Sequence, residues 1–331
     1  MPGIGVVLNP KSRRNLRDPE AALRLARTLG DHGIVRQVAT LDDLHRTAED
    51  FKTLDIDVLG ISGGDGTNHV TITGFLDVYG SGKLIANDAP PPLPQIAFLR
   101  GGTMNTAANS VGVRHDRPES LLARLARAYA ERATMPLANV ERRVMRIGTV
   151  GASHRAHHYG FLFGTGVVYG YLAEYYRGEA SPLGAAKTLA RAIGSTLVHG
   201  EMIRRMAAPF RGTVLLENGT TWEEREYLSV AAGTIDQIGL SFRPFYRWNE
   251  HPDTFHLLGI FASPLQFVCD LGRIRDARPM RPGRTFEATP SRAVIRGSDS
   301  CVRYMIDGDL HETRGEIELC IGPRVTIVKV P

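Results

Sequence analysis

Through residues 1 to about 135, short apolar runs alternate with stretches in which apolar residues recur every three or four positions. The runs 4–8, 34–38, 58–61 and 96–99 read as buried strands. Between them, Ala22, Leu25, Ala26 and Leu29 share one helix face behind Pro19, and Leu44, Ala48 and Phe51 share another behind Asp42 and Asp43. Pro118 and Glu119 open a further amphipathic helix over 121–130. Regular alternation of this kind predicts a doubly wound α/β domain, a mostly parallel sheet with helices on both faces. Ligands of such sheets bind beyond the carboxyl ends of the strands, where Asn9, Thr40, Gly63 and Gly102 fall.

Beyond residue 136 the pattern shortens. Segments 143–150, 159–163, 213–216, 227–231, 255–260 and 293–295 predict strands of an antiparallel second domain, 136–309, interrupted by a helical insertion over about 183–206. In that insertion Leu189, Ile193, Leu197 and Ile203 read as the core face, opposite Lys187, Arg191, Arg204 and Arg205. The 87–94 segment, with four prolines, reads as a stiff surface loop.

A chain of 331 residues exceeds what one core usually holds, in keeping with two domains. A net charge of +5, from 40 basic and 35 acidic residues, is too small for a sequence-independent nucleic-acid binder and suits contact with phosphates or anionic lipid. Cys269, Cys301 and Cys320 lack metal-ligand spacing and read as reduced thiols of a cytoplasmic protein. No secretory signal is expected from the start, and the uncharged stretch 254–269 contains a proline and falls short of the ~20 residues that cross a bilayer.

The chemistry concentrates in two turns that follow the third and fourth apolar runs, Ser62-Gly63-Gly64-Asp65-Gly66-Thr67 and Arg100-Gly101-Gly102-Thr103-Met104-Asn105. Glycines let backbone N–H groups close on an anion, and a helix start adds its positive end. A carboxylate inside such a turn repels phosphate unless a divalent cation or a transferable proton lies between them. A plain connecting loop and, for Thr103 and Asn105, a helix cap are the structural alternatives. The β-branched residues after Thr67 are poor helix formers and weaken the expectation of a helix there. Neither a P-loop nor the protein-kinase signatures occur.

These turns, with Asn9-Pro10-Lys11-Ser12 before them and Ile306-Asp307-Gly308-Asp309 late in the chain, resemble in order the motifs of the diacylglycerol kinase catalytic family, which includes bacterial lipid kinases and sphingosine and ceramide kinases. The resemblance implies an NAD kinase/diacylglycerol kinase-like α/β domain over 1–135, to which 310–331 returns, and a β-sandwich acceptor domain. It implies ATP and Mg²⁺ as cofactors, with Asn9, Ser12, Thr40, Gly63, Gly64, Gly66, Thr67, Asn68, Gly102, Thr103 and Asn105 around the nucleotide. Asp65 would orient metal-bound phosphate, and Asp309, in place of the family's glutamate and aided by Asp307, would take the hydroxyl proton. Asp253 resembles an aspartate that holds a structural magnesium; a turn aspartate is the structural alternative. For Asp307-Gly308 that alternative is a hairpin turn.

Three positions depart from the family. Arg100 stands where a proline is usual, Thr106 where an aspartate follows the asparagine, and Val70 where a glutamate follows the first turn. Arg100 would help neutralise phosphate. Other features invite less. Gly164-Thr165-Gly166 with Gly170 misses the dinucleotide fingerprint, with no strand-helix unit expected around it. His154, His157 and His158 lack acidic companions and suit a surface strand. The run Arg273, Arg275, Arg278, Arg281 and Arg284 reads as a solvated loop or a contact with anionic headgroups.

Together these features predict an ATP-dependent kinase of a membrane-lipid hydroxyl, such as diacylglycerol, ceramide or a sphingoid base. It would work in the cytoplasm or peripherally at the inner membrane face, without nucleic acid; a homodimer is compatible with this reading. A soluble-substrate kinase of the NAD kinase type and a non-catalytic nucleotide or lipid binder share part of the pattern. A nicotinamide oxidoreductase fits least.

Overall fold

The computed structural model describes residues 3–80, 93–151, 157–178, 181–299 and 301–330. His154 and the 87–92 part of the proline-rich segment lie outside them. The chain divides into two units, Met1–Val144 with Gly322–Pro331, and Met145–Ile321.

In the first unit the predicted alternation is realised: β1 (Ile4–Leu8), α1 (Arg13–Leu16), α2 (Ala21–Leu29), β2 (Gly33–Gln37), α3 (Leu41–Thr53), β3 (Val58–Ser62), α4 (Asp65–Tyr79), β4 (Gln95–Phe98), α5 (Thr106–Ser110), α6 (Pro118–Ala130) and the start of β5 (Asn139–Thr149). The strands pair in parallel in the order β2-β1-β3-β4, with Ile4 opposite both Gly33 and Val58, and Val58 opposite Gln95. β1 and β3 are buried throughout, which is why they read as unbroken apolar runs. The chain moves one way from β1 to β2 and the other way from β2 through β3 to β4. Right-handed crossovers therefore put α2 on one face and α3 and α4 on the other. The observed packing of α2 on α6 and of α3 on α4 agrees. The order reverses between β1 and β3, and in sheets of this kind ligands bind beyond the carboxyl ends of the strands at such a switch point.

Helix α4 forms despite its β-branched start. Asn68, His69, Thr71, Ile72, Phe75 and Leu76 are buried, and packing overrides propensity.

The second unit continues with β6 (His158–Gly160), β7 (Leu162–Thr165), α7 (Val167–Arg177), α8 (Pro182–Leu197), α9 (Glu201–Met206), β8 (Phe210–Leu216), β9 (Thr221–Tyr227), β10 (Ser229–Gly233), β11 (His256–Ile260), α10 (Pro264–Arg275), β12 (Thr285–Ala288), β13 (Arg292–Gly297), β14 (Val302–Ile306), β15 (Asp309–Thr313) and β16 (Ile317–Val328). One antiparallel sheet runs β12-β11-β10-β7-β14-β15; a second layer pairs β16 with β13, β13 with β8 and β8 with β9. Phe163, Val230, Leu257 and Tyr304 of the first layer share a core with Val214, Trp222, Ile295 and Leu319 of the second. Two sheets around one apolar interior make a β-sandwich. Strand β16 ends in the first unit, where Ile327 pairs in parallel with Ile96.

The helical region starts earlier than expected, at Val167, and the buried face of α8 is not the predicted one. Ala185, Thr188, Ala192 and Thr196 face inward, while Leu183, Leu197 and the adjoining Val198 are 63%, 64% and 76% exposed. Small residues let α8 approach its neighbours closely; of the predicted face, Leu189 and Ile193 are half-buried and Leu197 lies outside. A strand-turn-helix unit does frame Gly166, contrary to expectation, because β7 leads directly into α7. Its glycines serve packing: a Cβ at Gly166 would lie 2.2 Å from the Leu228 carbonyl oxygen, and one at Gly170 2.1 Å from that of Met206.

Candidate active site

The two glycine turns lie backbone against backbone in the first unit. A Cβ at Gly102 would stand 2.2 Å from Cα of Gly64, and one at Gly101 2.7 Å from the backbone nitrogen of Gly63. Only glycine permits this approach. Gly64 is the N-cap of α4 and supplies no side-chain cap to that helix, whose first turn holds Asp65, Gly66, Thr67 and Asn68. An uncapped start of a long helix beside a glycine turn is a ready anion site.

Asp65 points across to the second turn. Its Oδ2 accepts the N–H of Thr106 at 2.9 Å and its Oδ1 that of Ala107 at 3.1 Å, so the carboxylate docks on the start of α5. The Thr106 side chain also favours the charged form of this carboxylate. Where an aspartate would repel Asp65, threonine supports it. Burial raises the Asp65 pKa above the ordinary carboxylate value, against the opposing pull of these bonds and of the Arg100 charge.

The β1 loop joins the same place. Asn9 donates from Nδ2 to Thr67 Oγ1 at 2.9 Å and accepts from the Lys11 N–H at Oδ1. Asn15, which the motifs do not mark, donates to the carbonyls of both Asn9 and Ser62 at 2.9 and 3.1 Å and ties the β1 and β3 loops together. Among the described residues, the buried oxygens Ser12 Oγ, Ser62 Oγ and Asn68 Oδ1 lack hydrogen-bond partners. Orphaned hydroxyls beside an uncapped helix suit a phosphate group, so the residues present fit a nucleotide phosphate. For Mg²⁺ they offer Asp65; among the described residues no three metal-ligating side chains gather. That is compatible with a cation held by one carboxylate, phosphate oxygens and water.

Other predicted residues are committed to the scaffold. Thr40 caps α3, its hydroxyl accepting from the Asp43 N–H in a capping box. Asn105 stands at φ 47° and clasps Gly102, accepting its N–H at 3.1 Å and donating to its carbonyl at 2.7 Å. It thereby shapes the turn that Thr103 occupies. Arg100, expected at phosphate, is buried, and its guanidinium donates to the Val113 carbonyl at 3.0 Å and to His115 at 2.8 Å.

In the second unit, Asp307 and Gly308, at φ 44° and 94°, form the tight turn between β14 and β15, and Asp309 opens β15 opposite Ile306. The two carboxylates therefore do not share one strand face as i and i+2. The Asp307 carboxylate, 4% exposed, accepts the backbone N–H groups of Phe161 and Leu162 at 2.8–3.1 Å. Tyr176 donates to the Gly308 carbonyl at 2.7 Å. Asp253 lies in an exposed turn. His157 is buried rather than on the surface, and the His158 ring meets that of His311 at 4.9 Å. The arginine run is only partly solvated, because Arg281 and Arg284 pair with the fully buried Asp270 at 3.2 and 2.7 Å.

Comparison with known proteins bears on this geometry. No curated protein matches the chain. Over its whole length the fold is similar to that of a diacylglycerol kinase from Bacillus anthracis str. Sterne, at 15% identity and a TM-score of 0.59, covering 100% of this chain and 97% of the other. Two further structures from that organism, described there as candidate diacylglycerol kinases, match with TM-scores of 0.62 at 15% and 16% identity, covering 100% and 99% of this chain and 98% and 97% of theirs. At such identity the likeness is one of fold. Residues 3–137, which contain both glycine turns, match the family model described as the diacylglycerol kinase catalytic domain.

Proposed function

We propose that the protein is an ATP-dependent lipid kinase that transfers the terminal phosphate to a hydroxyl of a membrane lipid. The observation that carries this reading is the pair of interlocked glycine turns with Asp65 between them, inside the segment that matches a kinase catalytic domain. The start of α4, with the hydroxyls of Ser12, Ser62 and Thr103, would bind the phosphates. Asp65 would hold Mg²⁺, which when bound neutralises phosphate charge. Asp309 would accept the hydroxyl proton, a role that rests on its motif. In such a transfer, positioning and charge neutralisation supply most of the rate gain.

Support for a lipid acceptor comes from the second unit. Leu183, Leu197 and Val198 are exposed on a helical region that also carries Lys187 and Arg191, which suits a peripheral contact with an anionic membrane surface. Among the described residues no helix is long and apolar enough to cross a membrane. Radiolabelled ATP incubated with total membrane lipid tests the proposal. Label should enter one lipid class; label in no lipid, or only in water-soluble products, would overturn it.

A further inference from the structure

We propose that Arg100, with His115 as its acceptor, is a positioning residue for Asp65, an assignment that builds on the reading of Asp65 as the carboxylate of the phosphate site. Helix α5 has five residues, too few to hold its place by its own cooperativity. Asp65 bonds its first two amides. At its other end the chain turns back through Gly112, with the Val113 N–H bonded to the Ala108 carbonyl. Arg100 reaches that returning segment from the end of β4 and bonds the Val113 carbonyl and His115. The short helix is thus held from both ends, by a carboxylate at its start and a guanidinium behind its exit.

Two features mark Arg100 as more than filler. Its backbone stands at φ 53°, a left-handed conformation that residues with a Cβ rarely adopt, and the residue is 5% exposed. A buried guanidinium persists where it is bonded and offset in charge. The acceptors are Val113 and His115; the offsetting charge is Asp65, which pulls against the burial that lowers the Arg100 pKa. Because the guanidinium only donates, His115 serves as its acceptor through an unprotonated ring nitrogen.

Amide hydrogen exchange at Thr106 and Ala107 reads the strap directly, without any turnover. Arg100→Gln should speed exchange at both amides about tenfold while leaving β3 unchanged. Arg100→Lys, which keeps the charge but not the fork, should restore part of the protection. His115 is exposed, so His115→Ala tests the strap in a folded protein even if Arg100→Gln unfolds; about threefold acceleration is expected. In an Asp65→Asn background the Arg100 substitution should add nothing. Unchanged exchange at Thr106 and Ala107 in both single variants, or equal acceleration with and without Asp65, would overturn the proposal. Absence of lipid phosphorylation by the wild-type protein would sink the kinase reading alone, since the exchange result stands apart from it.

Discussion

Gly64 and Gly102 touch through their backbones: a methyl group on Gly102 would sit 2.2 Å from Cα of Gly64. The glycines of the two turns therefore serve each other as well as any ligand. Gly102→Ala should cost about 1–3 kcal/mol by overpacking and should weaken ADP binding through the displaced turn. Gly194→Ala, inside α8 with nothing within 4 Å of the new methyl, should instead stabilise by about 0.5–1 kcal/mol. Denaturant unfolding of the two variants checks the contrast.

Asp65→Ala removes the acceptor of the Thr106 and Ala107 amides and the carboxylate proposed for the metal. Transfer to lipid should fall at least about a thousandfold, the scale of losing a key electrostatic group, with the fold retained by circular dichroism. Near-normal turnover would remove Asp65 from the mechanism.

Asp307 and Asp309 should separate cleanly. Asp307→Ala strands the buried N–H groups of Phe161 and Leu162, so a loss of about 1–3 kcal/mol in stability is expected. Asp309→Asn should leave the melting temperature within error and abolish phosphoryl transfer. Stability and activity of both variants, measured side by side, decide the matter.

His256 is fully buried on β11, accepts the Arg247 N–H at Nδ1 and lies 3.7 Å from Glu287. Burial lowers its pKa below the ordinary imidazole value, against the pull of Glu287. The unfolded chain therefore binds the proton more readily than the folded one. The stability this group contributes is present above about pH 6.5 and is lost as pH falls through the lowered folded value, by up to about 1.4 kcal/mol per pH unit. His256→Phe should flatten that part of the pH–stability curve, whatever its effect on absolute stability.

Leu197→Ser with Val198→Ser removes exposed apolar surface without touching the sandwich core. Binding to vesicles containing phosphatidylglycerol should weaken about tenfold by co-sedimentation, and turnover on a short-chain, soluble acceptor should be unaffected. Unchanged vesicle binding would show that this face is not the membrane contact.

The alternation of apolar runs and helical faces determined the parallel sheet of the first unit, because strands buried on both sides must be continuously apolar and their connecting helices must be one-sided. The glycine turns and the carboxylate between them were equally legible, since each is a local motif. The buried face of α8 was not: small residues can pack inside while leucines remain outside, and only the neighbouring helices settle which happens. Nor did the chain in one dimension reveal that the two glycine turns lean on each other, that Asn15 joins β1 to β3, or that Asp307 clamps Phe161 and Leu162. Arg100 was expected to face phosphate and instead turns inward to Val113 and His115. Periodicity reports what one element needs from its surroundings, whereas a side chain's partners are chosen among segments far apart in sequence, and folding alone brings those together.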